Sequence, residues 1–192
     1  KNRGNIVVNA LLKSVAGGPP INMDTPGTIT GGAAGGLITA DTYTIIQSGG
    51  IGSFATPLQT NVNFLTAFNS ISGDVVINNA KTVTLVGDPS NNFGNSAPGR
   101  DVQLSTTNGD IITNNVNITS SNGRIALTAN DQGAGGNIYV GPKVFDNNPT
   151  GPGGISSGAA PIFLYAADTI TINRHVTTSG GVNGNVQMIA GT

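Results

Sequence analysis

The sequence predicts an all-β chain, a right-handed parallel β-helix (β-solenoid) with Gly/Pro-rich loop insertions, running as a single β-helix segment over residues 1–192. Three observations predict it. The composition suits strands and tight turns, one strand-start motif recurs eight times, and Asn residues follow those strands at near-integral spacings.

Of the 192 residues, 37% are hydrophobic, enough for a substantial core, and only 9% are charged. All nine acids are Asp, and the remaining polar positions are filled mostly by Asn, Thr, Ser and Gly. Thr and Val fit a pleated surface, whereas Asn, Asp and Gly fit turns and left-handed backbone. The strong helix formers Glu, Lys, Gln and Arg are absent or scarce, which argues against an α-rich fold.

Along the chain, Gly plus a polar residue opens a short run rich in β-branched residues. It reads GNIVV at Gly4–Val8, GDVVI at Gly73–Ile77 and RDVQL at Arg100–Leu104. GDIIT follows at Gly109–Thr113, GRIAL at Gly123–Leu127 and GNIYV at Gly136–Val140. DTITI at Asp168–Ile172 and GNVQM at Gly184–Met188 complete the set. GDVVINNAKTVT aligns with GDIITNNVNIT and with GNIVVNALLKSV, each reading as strand, Asn corner, strand. Asn9, Asn78, Asn114 and Asn173 take the corner position. Asn78 to Asn114 is 36 residues and Asn114 to Asn173 is 59. Those spacings fit two and three turns of a coil of roughly 18 to 20 residues, giving eight to ten coils.

One such coil buries nothing alone. Stacked about 4.8 Å apart, each strand pairs in parallel with its equivalent and buries inward Val, Ile and Leu in a continuous column. A corner Asn can bond the Asn above and below it, or serve only as a residue tolerant of left-handed dihedrals. Three stretches, 17–36, 87–99 and 141–161, break the period and read as loops leaving the coil. Their prolines cannot donate to an interior ladder.

The net charge is −1 with scattered basic residues, so no concentrated field exists for a phosphate backbone, and nucleic acid is excluded as a partner. No apolar run approaches the roughly 20 residues that span a bilayer, so no membrane insertion is expected. Cysteine is absent, which removes disulfides and thiolate metal sites.

His175 is the only histidine and reads as a surface corner residue, without a second His, Cys or Glu to complete a relay. No catalytic residue, no cofactor and no metal site is assigned. Asp74, Asp110 and Asp168 sit at strand starts, where a carboxylate accepts backbone N–H bonds. The alternative, a shared calcium ion, lacks the nonapeptide signature of calcium-binding β-rolls. Most aromatic residues lie in strand patterns, and Phe93 and Phe145 lie in loops as candidate contacts.

The stretch GGIGSFATPLQTNVNFLTAFNSISGDVVINNA (Gly49–Ala80) resembles a recurring segment of filamentous-haemagglutinin-type large exoproteins. The matching positions are Ile51, Gly52, Pro57, Leu58, Thr60, Val62, Leu65, Ala67, Gly73, Asp74, Ile77 and Asn78. The NGDI and NGRIALTA strings at Asn108 and Asn122 are similar to that family's haemagglutinin-like repeats. The resemblance implies an adhesin shaft exported by two-partner secretion through an outer-membrane transporter and displayed extracellularly at the cell surface. It implies a glycan or protein partner on a host or neighbouring cell, or self-association into a filament, and no enzyme activity. The chain is expected to be an internal fragment of a longer rod. Parallel β-helices also host polysaccharide lyases and glycosidases, so a carbohydrate-active enzyme is the alternative, with Asp101 and Asp110 as a carboxylate pair.

Overall fold

The computed structural model describes residues 4–15, 17–32, 35–133, 135–142, 151–179 and 183–191. No helix occurs among them, and every strand pairing is parallel. The first coil holds β1 (Ile6–Val8), β2 (Leu12–Lys13) and β3 (Ile21–Met23), and the second holds β4 (Ile29–Gly31) and β5 (Leu37–Ser48). The third begins at a one-residue bridge, Ile51, and continues as β6 (Leu58–Asn69). From there each coil has three separate strands. These are β7 (Val75–Asn79), β8 (Val83–Leu85) and β9 (Asn92–Asn95), then β10 (Val102–Thr106), β11 (Ile111–Ile112) and β12 (Asn117–Ser120). Next come β13 (Ile125–Ala129), β14 (Ile138–Val140) and β15 (Ile155–Ser157). The last are β16 (Ile162–Ala166), β17 (Ile170–Ile172) and β18 (Val176–Thr178), before β19 (Val186–Ala190) opens a further coil.

The chain is therefore a β-solenoid of about 7 turns with three faces. Face 1 stacks β7, β10, β13, β16 and β19; face 2 stacks β8, β11, β14 and β17; face 3 stacks β9, β12, β15 and β18. The 12-residue strands β5 and β6 wrap around corners, so β6 alone pairs with β7, β8 and β9.

The core follows from the period-two alternation of strands. Val75, Val102, Ile125 and Ile162 stack on face 1 beside Ile77, Leu104, Leu127 and Leu164, all fully buried. Val83, Ile111 and Ile138 form the matching column on face 2, and Phe93, Ile118 and Ile155 that on face 3. Fully burying such a side chain contributes roughly 1.5–3 kcal/mol, and stacking identical faces repeats the gain in every coil. Close approach between coils also needs glycine. A Cβ on Gly123 would collide with the Arg100 carbonyl oxygen one coil away.

The coil is longer than the expected 18 to 20 residues. Equivalent face 1 positions are Ile6, Ile29, Ile51, Val75, Val102, Ile125, Ile162 and Val186. They lie 22 to 27 residues apart, except for the 37 between Ile125 and Ile162. The physical reason is that the motif marks two strand starts per coil. Gly73-Asp74 opens face 1 while Gly109-Asp110 opens face 2, so aligning the two stepped between faces.

The three expected loops are corrected too. Residues 17–36 contain β3 and β4, 87–99 contain β9, and 141–161 contain β15. Residues 143–150 of the last lie outside the described residues. Face 3 strands escape notice because they are short and set one inward hydrophobe beside one inward polar residue: Phe93 with Asn95, Ile118 with Ser120, Ile155 with Ser157. No β-branched run marks them. Pro57 does precede a strand, and Leu58, Val62, Leu65 and Ala67 of β6 all point into the core with no exposure.

Candidate functional site

The four corner Asn residues form no single column. Asn9 and Asn78 do not share one: Asn9 directly follows β1, whereas Asn78 lies in β7 and registers with Gln59 of β6 and through it with Leu37 of β5, next to the position that pairs with Leu12. Asn114 and Asn173 end face 2 strands two coils apart, with Gly141 between them. None has another of the four as its neighbour. Asn78 instead joins a mixed ladder on the outside of face 1, donating to Gln59 Oε1 at 2.9 Å and accepting from Ser105 Oγ at 3.1 Å. Asn114 has φ 50°, the left-handed turn role.

A true Asn ladder lies inside the solenoid, at the corner leading from face 3 to face 1. Asn69 and Asn95 are register partners, fully buried, with Asn69 Nδ2 3.3 Å from Asn95 Oδ1. Asn69 also donates to the Ser72 and Gly73 carbonyls at 2.7 and 2.8 Å. Ser120 and Ser157 continue the column, their hydroxyls donating to Arg100 O and Gly123 O at 2.9 Å each. The ladder supplies partners for carbonyls that bend inward at the corner. Its sequence signal is a polar residue two after a lone hydrophobe and followed by Ser or Gly: Asn95-Ser96, Ser120-Ser121, Ser157-Gly158.

Asp74 and Asp110, and with them Asp101, bind backbone one coil further on, whereas the Asp168 carboxylate accepts from the adjacent Thr169 hydroxyl at 3.5 Å. Asp74 Oδ1 accepts from Asp101 N at 3.0 Å, and Asp101 Oδ1 accepts from Arg124 N at 2.8 Å. Asp110 Oδ1 accepts from Asn137 N at 3.0 Å on the next corner. Asp101 directly precedes β10, and Asp110 comes after β10 and the corner residues 107–109, directly before β11; the five residues of β10 alone span roughly 16 Å of strand rise. A glycosidase carboxylate pair needs roughly 5–10 Å. Asp168 lies on a different coil and corner from Asp74, so the three acids form no single column.

Phe93 is not a loop contact. It lies in β9 with no exposure, stacked on Ile118, because it is the only large apolar residue available to fill face 3 in its coil. Phe145 lies outside the described residues. His175 is exposed, beside a shallow depression lined in part by Asn117, Thr119 and Ser156. No group of three or more potential metal-ligating side chains occurs among the described residues.

Phe163 and Tyr165 stand part-exposed on the outside of face 1, whereas the more exposed Phe54 and Phe64 lie in the loop before β6 and within β6 opposite Thr84 of face 2. Register puts Gln103, Ala126, Phe163 and Gln187 in one outward row and Ser105, Thr128, Tyr165 and Ile189 in the next. The small Ala126 and Thr128 floor a trough along β13. Phe163 and Tyr165 form one wall, and Gln103 stands opposite. The two rings are nearly parallel, 7° between planes and 6.2 Å between centroids. Arg124 closes one end, with Nη2 3.0 Å from Asp101 Oδ2 and its guanidinium carbon 5.2 Å from the Phe54 ring centre. The trough encloses about 270 Å³. A second depression of about 610 Å³ shares Phe163 and is lined by Asn122, Asn183 and Asn185. Phe163 and Tyr165 were legible only as members of a strand pattern, because which face is outward and what lies beside it depend on register.

Comparison with known proteins found no matching family model, no matching curated protein and no matching solved structure.

Proposed function

We propose that this β-solenoid is the structural, adhesive shaft of a secreted bacterial surface exoprotein of filamentous-haemagglutinin type, working by contact and not by chemical turnover. The observation that carries the reading is the outer row of face 1. Four consecutive coils present Gln103, Ala126, Phe163 and Gln187 in register on a rigid parallel ladder. A fixed array of amides and aromatic rings holds a partner without needing to move. The segment 49–80 that resembles the exoprotein repeat holds one complete coil, from the Ile51 bridge through β6, and the first strand of the next, β7. Export through an outer-membrane transporter and display at the cell surface belong to the same proposal.

The alternative, a carbohydrate-active enzyme, asks for carboxylates facing one groove. The geometry of Asp101 and Asp110 disfavours that pair, since the two stand before different faces and each carboxylate is engaged by a backbone N–H of the next coil.

The test is retention of beads coated with the full chain on mammalian and bacterial cell layers, with light scattering to detect self-association. Saturable retention or concentration-dependent assembly is expected. Absence of both, or release of reducing sugars from a polysaccharide panel, would sink the proposal.

A further inference from the structure

We infer that the trough over β13, together with the depression beyond Phe163, is a binding site for an uncharged oligosaccharide. The inference rests on the adhesive reading and names its partner and its surface.

Size favours a ligand of more than one ring. The two depressions, about 270 and 610 Å³, meet at Phe163, so a chain crossing that ring occupies both. Chemistry favours hydroxyl groups. Gln103 and Thr128 on one side, and Asn122, Asn183 and Asn185 on the other, offer donors and acceptors together, as a polyol requires. The parallel rings of Phe163 and Tyr165 offer an apolar wall for the C–H faces of a sugar.

Charge decides between uncharged and acidic sugars. Arg124 is the one charged residue lining the trough, and its cation already faces Asp101 at 3.0 Å and the Phe54 ring at 5.2 Å. An acidic sugar would compete with Asp101 for it. A neutral sugar hydroxyl needs only one of the guanidinium's five N–H donors, and the side chain is 41% exposed and so reachable. Both aromatic rings stand at outward positions, so the site is built without cost to the core.

The experiment uses the full chain and six-unit probes. Cellohexaose, xylohexaose, mannohexaose and chitohexaose are the uncharged set, and hexagalacturonate is the acidic control. Binding is followed by calorimetry and by ligand-observed NMR saturation transfer. At least one uncharged probe is expected to saturate. Phe163→Ala and Tyr165→Ala should each weaken it by about tenfold or more, a loss of about 1.4 kcal/mol or more, with Phe163→Tyr retaining it. Ala126→Trp fills the trough from its floor and should abolish binding even if an aromatic-to-Ala variant folds poorly. Saturation by hexagalacturonate alone, saturation by no probe, or uncharged binding indifferent to these substitutions overturns the site. If coated beads still adhere while no hexaose binds, the site fails and the adhesive reading stands. If adhesion is also lost, both fail.

Discussion

Asn69 and Asn95 stand in consecutive coils as register partners, both fully buried, and their side-chain amides meet at 3.3 Å inside the solenoid. Around this pair, backbone carbonyls that turn inward at the face 3 to face 1 corner find donors. Asn95 Nδ2 reaches Gly73 O at 2.9 Å and Asp101 O at 3.3 Å, while its Oδ1 accepts from Ala97 N at 3.1 Å. Hydrophobic columns would stack in several registers, whereas an amide placed here is satisfied in one.

Asn95→Ala strands those buried groups. It should destabilise the fold by roughly 2–4 kcal/mol, since each unsatisfied buried group costs about 1–3 kcal/mol. Asn114→Gly, at an exposed left-handed turn, should change stability by less than about 1 kcal/mol. Urea unfolding followed by circular dichroism measures both. Equal effects would remove the distinction between internal ladder and external corner.

Asp101 binds the next coil twice, through Arg124 N at 2.8 Å and Arg124 Nη2 at 3.0 Å. Asp101→Asn keeps an acceptor for the backbone and loses an ion pair that solvent screens, a cost below about 1 kcal/mol. Asp101→Ala loses both and should cost about 1–2 kcal/mol. If Asn and Ala variants unfold at the same urea concentration, the backbone bond is not what Asp101 contributes.

Leu104 stacks between Ile77 and Leu127 without exposure. Leu104→Ala should cost about 2–5 kcal/mol, because packed neighbours on both sides prevent collapse of the cavity. Hydrogen exchange should then accelerate first in β7, β10 and β13, since each coil touches only its neighbours. Uniform acceleration along the chain would contradict that picture.

Tyr43 is fully buried, and its hydroxyl donates to Met23 Sδ at 3.0 Å. Burial pushes its pKa upward from 10.0. The unfolded chain therefore releases this proton near pH 10 while the folded chain holds it, so the folded state binds more protons above that point. Tyr43's contribution is complete below about pH 10 and declines as pH rises further. Urea midpoints between about pH 8 and pH 11 should fall less steeply in Tyr43→Phe than in the parent chain. Parallel declines would place the alkaline sensitivity elsewhere.

What the amino-acid order determined by itself was the class of fold. Strand-start motifs such as GDVVI and GRIAL carry their period-two pattern locally, and Asn, Gly and Pro mark turns by their own backbone preferences. The inward set of β6 and the backbone-accepting role of Asp74 and Asp110 were legible for the same reason. Register was not, because the face 1 and face 2 strand starts look alike and only pairing shows that Val83, not Val75, meets Ile111. The same ambiguity hid the short face 3 strands, turned Phe93 from an expected contact into core, and concealed the Asn69–Asn95 pair. It concealed the trough as well: Phe163, Ala126, Gln103 and Arg124 are scattered across some sixty residues of chain, and only stacking sets them side by side. Inward and outward are properties of a residue and its strand; neighbourhood across coils is a property of the whole stack, fixed when the core columns and the internal ladder are satisfied together.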